Sequence, residues 1–141
     1  MPINALYTAS ATATGEGRHG HVRSSDGVLD VDLAVPKEMG GTGGALTNPE
    51  QLFASGYAAC FHSALRGVAR RQKVDLTGSA VTVDVGIGTR AEGGFGLTVA
   101  IEAELPDVDE ATARRLLDQA HHVCPYSNAT RGNIDVTLTI A

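Results

Sequence analysis

From Asn48 to about Lys73, apolar and small residues fall in two adjacent helical rows. Leu52, Gly56, Cys60, Ala64 and Val68 recur at every fourth position, and Phe53, Tyr57, Phe61 and Leu65 form the neighbouring row. Such spacing stacks side chains along one face of a helix. Asn48 suits the N-cap, Pro49 the first helical position, and Gln51 completes a capping-box-like pair with Asn48. Charges are sparse until Arg66, and Arg70, Arg71 and Lys73 mark an end where cations complement the helix dipole. The pattern predicts a long, central, mostly buried helix.

Elsewhere the period is two. Residues 28–35, 80–88, 95–105 and 134–140 alternate or run apolar in the manner of strands. Residues 5–14, rich in Thr and small side chains, and residues 21–24 are read as two further strands, separated by a glycine-rich turn over 15–20. Asp26-Gly27 predicts a tight hairpin. A second helix is expected over 109–122 with Asp109 as its cap, and a short helical turn within 126–131. The order βββ-α-ββ-α-β defines an α+β class, read as one domain over residues 1–141.

Composition narrows the function classes. At 141 residues, with 43% hydrophobic and 19% charged residues, the chain fits one globular domain with a true core. A net charge of −5 argues against nucleic acid or an anionic membrane as the main partner. No apolar run approaches the roughly 18 residues needed to cross a bilayer, and the N-terminus shows no basic-then-apolar leader pattern. The expected location is the cytoplasm, where paired cysteines are more often catalytic, redox-active or metal-binding than structural.

Only two cysteines are present, Cys60 and Cys124. By position alone Cys60 reads as a small buried hydrophobe. It lies about ten residues past the helix cap, roughly 15 Å along the axis, beyond the reach of the helix dipole. Burial by itself raises a thiol pKa, so a reactive thiolate there needs a cation from elsewhere in the fold. Cys124 follows the second helix, and the separation of the two cysteines proves nothing about contact. Cys60, His62, His121, His122 and Cys124 could in principle bind a soft metal, but residues 60 and 62 diverge by roughly 200° on a helix and the spacing fits no standard zinc pattern. His121 and His122 are read as cations near a helix C-terminus. Residues 40–44 invite a phosphate-cradle reading, yet no Lys-Ser/Thr follows. Arg18 reads as a solvated arginine in a turn, and Glu50 as an acid in the first helical turn.

The motifs themselves carry more. Ala11-Thr12-Ala13-Thr14-Gly15 followed by Arg18, Ser25-Asp26-Gly27-Val28-Leu29-Asp30, Thr47-Asn48-Pro49-Glu50-Gln51-Leu52-Phe53, Gly56-Tyr57-Ala58-Ala59-Cys60-Phe61 and the run from Cys124-Pro125-Tyr126-Ser127-Asn128 to Arg131-Gly132-Asn133-Ile134 resemble the organic hydroperoxide resistance proteins. These are thiol peroxidases of the osmotically inducible protein C superfamily, and the resemblance covers essentially the whole chain. It implies Cys60 as peroxidatic cysteine, Cys124 as resolving cysteine, Arg18 as the cation that holds Cys60 ionised, and Glu50 as the carboxylate that orients Arg18. It implies reduction of organic hydroperoxides without metal, haem or flavin, and recycling by a dithiol, a lipoyl group on a partner protein. It also implies an intertwined homodimer, which answers a geometric difficulty: Glu50 cannot reach Cys60 along one straight helix, so Arg18 and Glu50 are expected to serve Cys60 of the other subunit. Met39, Phe53, Phe61 and Phe95 are expected to form an apolar substrate pocket. The competing reading is a redox sensor or small-molecule binding protein of the same fold, without turnover.

Overall fold

In a computed structural model, which describes residues 2–141, the element order is β1 (Ala11–Thr14), β2 (His21–Ser24), β3 (Asp30–Asp32), α1 (Pro49–Arg71), β4 (Ala80–Thr89), β5 (Phe95–Glu104), α2 (Glu110–Val123), α3 (Pro125–Thr130) and β6 (Val136–Ile140). The α+β class and the order read from the periodicity hold, with the expected helical turn realised as α3. Contacts divide the chain into two compact units, one ending at Leu52 and the other Phe53–Ala141.

The first unit carries the antiparallel meander β1-β2-β3. Its strands are shorter than the sequence suggests. Residues 5–10 take no strand assignment, and residues 2–10 are exposed, so their Thr- and Ala-rich pattern has no buried face to define it. The third strand stops at Asp32, after which Leu33 and Ala34 turn inward at 4% and 5% exposure. Leu33 bridges Thr47 in parallel, and Ala34 N–H donates to the Thr47 carbonyl at 3.0 Å. This pairing draws the loop back to the start of α1.

Across β2 and β3, His21 faces Asp32. Its Nδ1 bonds Asp32 at 2.7 Å and its Nε2 bonds Asp30, while Arg23 lies 3.5 Å from Asp30. Carboxylates on both ring nitrogens favour the doubly protonated ring. The bond to Asp32 first, and that to Asp30 second, raise its pKa above the ordinary 6.5. A folded-state pKa above the unfolded one gives stabilisation that is complete below about pH 6.5 and fades as pH rises through the folded value. An NMR titration should therefore place the His21 midpoint above 6.5, and His21→Gln should flatten the loss of stability with rising pH; because the site is exposed, the effect on melting is small.

The second unit pairs β4 with β5 antiparallel over ten residues and β5 with β6 in parallel. A parallel neighbour requires a long connection, which α2 and α3 supply. Val83, Val99, Ile101 and Ala103 from the sheet meet Tyr57, Phe61, Leu65 and Val68 of α1 and Ala113, Leu116, Leu117 and Ala120 of α2 in one core. The aromatic row of α1 is thus the buried one. The small-residue row stays half-exposed at Leu52, Gly56, Cys60 and Ala64, so the helix is buried along one stripe in the single chain rather than all round. Asp109 caps α2 by accepting from Thr112 N–H at 3.0 Å. Among the described residues, no helix is long and apolar enough to cross a membrane.

Candidate active site

Cys60 stands eleven residues into α1, on its half-exposed row (60 − 49 = 11). Cys124 is the hinge between α2 and α3: it closes the first helix and caps the second in an extended conformation, φ −63° and ψ 125°. Its N–H donates to the Ala120 carbonyl at 2.8 Å and its carbonyl accepts from Asn128 N–H at 2.9 Å. Pro125 at the first position of α3 has no N–H to satisfy. These constraints turn the Cys124 side chain into the core, where it is fully buried. The two sulfurs lie 3.6 Å apart, both unlinked. The chain therefore joins an accessible thiol to a buried one across 64 positions of sequence.

Burial pushes the Cys60 thiol upward, and the neighbouring Cys124 adds to the rise; the Tyr126 backbone N–H, bonded to the sulfur, pulls against it. The Tyr126 ring is seated by Phe53, at 6.1 Å between centroids, and Tyr57, at 5.6 Å. Gly56 gives the ring room: a Cβ there would lie 3.1 Å from the Tyr126 hydroxyl, which would have to give by a few tenths of an ångström.

In the first unit, Arg18 sits in a single 3-10 turn, Gly17–His19, between β1 and β2. Gly17 holds φ +65°, and a Cβ on Gly20 would collide with the Thr14 carbonyl, so the tight turn depends on glycine at both places. Glu50 occupies the first turn of α1, which Asn48 caps by accepting from Gln51 N–H at 2.8 Å; the Gln51 side-chain carbonyl accepts from the Thr47 hydroxyl. Arg18 and Glu50 form an ion pair. A single guanidinium nitrogen, Nη1, reaches both carboxylate oxygens, at 2.5 and 3.1 Å, rather than two nitrogens meeting them side by side. Glu50 is 13% exposed and Arg18 40%. The carboxylate is sheltered while the guanidinium remains open to solvent.

The four expected pocket residues are dispersed in character. Phe53 is half-buried against Tyr57 and Tyr126, Phe61 is fully buried in the core, and Phe95 is 66% exposed at the start of β5. Met39 is half-buried in a 3-10 turn of the first unit. Two of the candidate histidines have hydroxyl partners. His62 Nε2 meets Ser79 at 2.9 Å, and His121 Nδ1 meets Ser127 at 2.8 Å. Burial, then the charges of Arg131 and His122, lower the His121 pKa. His121 thus lies in the last turn of α2, as the sequence reading has it, but burial works against its charge and its ring joins a polar network with Ser127. No three of His, Cys, Asp and Glu gather as a metal site among the described residues.

That network escaped the sequence. Tyr57 hydroxyl lies 2.8 Å from Ser127 and 3.1 Å from Thr130, both buried. Tyr57 reads in sequence simply as a member of an apolar row, and its partners are 70 and 73 positions away. The one available signal is the hydroxyl of a tyrosine placed where the row demands burial.

Comparison with known proteins adds to the geometry. Residues 41–139 match the family model described as OsmC-like protein. The chain is 57% identical to the organic hydroperoxide resistance protein of Xanthomonas axonopodis pv. citri, covering 99% of this chain and 98% of that one. It is 48% identical to organic hydroperoxide resistance protein OhrB of Bacillus subtilis, covering 96% and 98%. Among solved structures, an organic hydroperoxide resistance protein from Elizabethkingia anophelis, with crystallant-derived thiocyanate bound, superposes with a TM-score of 0.93 at 50% identity over 99% of each chain.

Proposed function

The chain belongs to the OsmC-like family, among its organic hydroperoxide resistance proteins, and from that footing we propose that it is a cysteine-based peroxidase that reduces organic hydroperoxides to alcohols. The observation that carries this reading is the 3.6 Å approach of two free thiols, one half-exposed and one fully buried. The half-exposed Cys60 is the one open to a substrate. The buried one can meet only its neighbour.

Cys60 thiolate attacks the distal oxygen of the hydroperoxide. The O–O bond breaks, the alkoxide leaves as alcohol after taking a proton, and Cys60 becomes a sulfenic acid. The Cys124 sulfur then attacks Cys60 sulfur, the S–O bond breaks, and water departs with the Cys124 proton. A disulfide needs the sulfurs at about 2.05 Å, so closure asks for a shift of order 1.5 Å from their present contact. An external dithiol restores both thiols by exchange, giving its two electrons and becoming a disulfide itself. A lipoyl group on a partner protein suits this role.

A thiol pushed up by burial needs a cation to react near neutral pH. Arg18, oriented by Glu50 and open to solvent, is the residue suited to supply it. Glu50 and Cys60 are ten positions apart on one helix (60 − 50 = 10), about 15 Å of rise. The pair therefore serves Cys60 of a second copy in a homodimer. Phe53 and Met39 remain candidates to meet the organic group. The test is consumption of cumene hydroperoxide with dihydrolipoamide in excess. Many turnovers per chain are expected; a stop after one equivalent would favour a redox sensor without turnover.

A further inference from the structure

Cys124 is held in place by more than its own helix caps. His121 and Ser127 bracket it, three positions to either side (124 − 121 = 127 − 124 = 3), and bond each other across it at 2.8 Å. Ser127 passes the connection to Tyr57 at 2.8 Å, and Tyr57 to Thr130 at 3.1 Å. Tyr57 itself lies one helical turn before Cys60 on α1. One chain of four polar groups thus ties α1, α2 and α3 together around the two sulfurs, with Ser127 and Thr130 excluded from solvent.

One order of the protons satisfies every bond in this chain. Thr130 hydroxyl donates to the Ser127 carbonyl at 3.2 Å. A hydroxyl has one proton to give, so Thr130 accepts from Tyr57, Tyr57 accepts from Ser127, and Ser127 accepts from His121 Nδ1–H. In that order every hydroxyl is used, and His121 donates through Nδ1–H. Apolar packing at the same positions would leave the bend at Cys124-Pro125 without this directional lock.

We propose that Tyr57, Ser127 and His121 are positioning residues for the resolving step, holding Cys124 against Cys60 so that the Cys60 sulfenic acid closes rapidly to the disulfide. The inference rests on the peroxidase reading for the sulfenic acid, but the closure of the two thiols can be followed without any peroxide. The step is the one written above: the S–S bond forms, the S–O bond breaks, and water leaves. A brace acts on this step more than on peroxide attack, which involves Cys60 alone. Slow closure leaves the sulfenic acid open to a second peroxide and oxidation to sulfinic acid.

The experiment mixes reduced protein with one equivalent of cumene hydroperoxide and follows peroxide loss and dimedone-trapped sulfenic acid separately. In Tyr57→Phe, Ser127→Ala and His121→Leu the sulfenic acid should persist about tenfold longer, a sub-ångström misplacement being enough, while peroxide attack stays within about threefold of wild type. His121→Asn, whose amide N–H can replace Nδ1–H, should restore rapid closure. Diamide provides the peroxide-free arm, and disulfide formation should slow in the same variants. Absence of peroxide consumption in wild type would refute the peroxidase reading alone, the diamide arm still deciding the brace. Unchanged sulfenic lifetimes, an equal fall in both steps, or His121→Asn behaving as His121→Leu would overturn the inference. Should Ser127→Ala fail to fold, Tyr57→Phe, which removes a single oxygen, decides the matter.

Discussion

Cys60→Ser should abolish hydroperoxide reduction, with kcat/KM falling at least about 10³-fold, because the one thiol that remains, Cys124, is fully buried. Cys124→Ser should behave differently. It retains the half-exposed Cys60 and should consume one equivalent of hydroperoxide at a rate close to that of wild type. It then stalls as a sulfenic acid, because the serine hydroxyl cannot close the disulfide. The proposed order of the two roles rests on the asymmetry of burial, Cys124 fully enclosed and Cys60 half-open. Stopped-flow peroxide loss in the two variants checks it. Equal loss of the first step in both would contradict the division of labour.

Arg18→Ala is expected to be the next most damaging change. Burial already lifts the Cys60 thiol, and an opposite charge within a few ångströms is worth roughly 1–3 pKa units. Without Arg18, the thiolate fraction at pH 7 should fall about 10- to 10³-fold, and the rising limb of the pH–rate profile should move to higher pH by the matching amount. Glu50→Gln should shift the limb less, since the guanidinium keeps its charge and loses only its anchor. The proposed homodimer adds a sharper form of the test. Dimers with Cys60→Ser in one chain and Arg18→Ala in the other retain one site whose cysteine and arginine are both intact if the pair acts across chains, and about half of wild-type activity should survive. Inactive mixed dimers, with each homodimer also inactive, would show that Arg18 acts within its own chain.

Periodicity was most informative where one face is buried against a core. The Phe53, Tyr57, Phe61, Leu65 row, β4 to β6 and the Asp109 cap were legible because burial and capping act over a few residues. Residues 5–10 were not, because an extended segment of small polar residues looks alike whether paired or free. The Cys60 and Cys124 motifs were legible through family resemblance, whereas their 3.6 Å contact depends on how α2 and α3 pack on α1. The hydroxyl–imidazole chain is invisible for the same reason: a helix-terminal histidine gives no sign in sequence of a hydroxyl partner six positions on, or of burial that lowers its pKa. The near-contact of Arg18 and Glu50 was expected, but its form, one nitrogen over both oxygens, was not.

The proposed cycle requires one oxygen atom to reach Cys60 and to leave as water when Cys124 closes the disulfide. Intact-protein mass spectrometry after one equivalent of cumene hydroperoxide follows it directly. Wild type should lose two hydrogens and yield a Cys60–Cys124 cross-linked peptide, Cys124→Ser should gain one oxygen at Cys60, and Cys60→Ser should stay unchanged. Disappearance of the hydroperoxide with wild-type Cys60 still a free thiol, or oxidation of Cys60→Ser to the same extent as wild type, would contradict it.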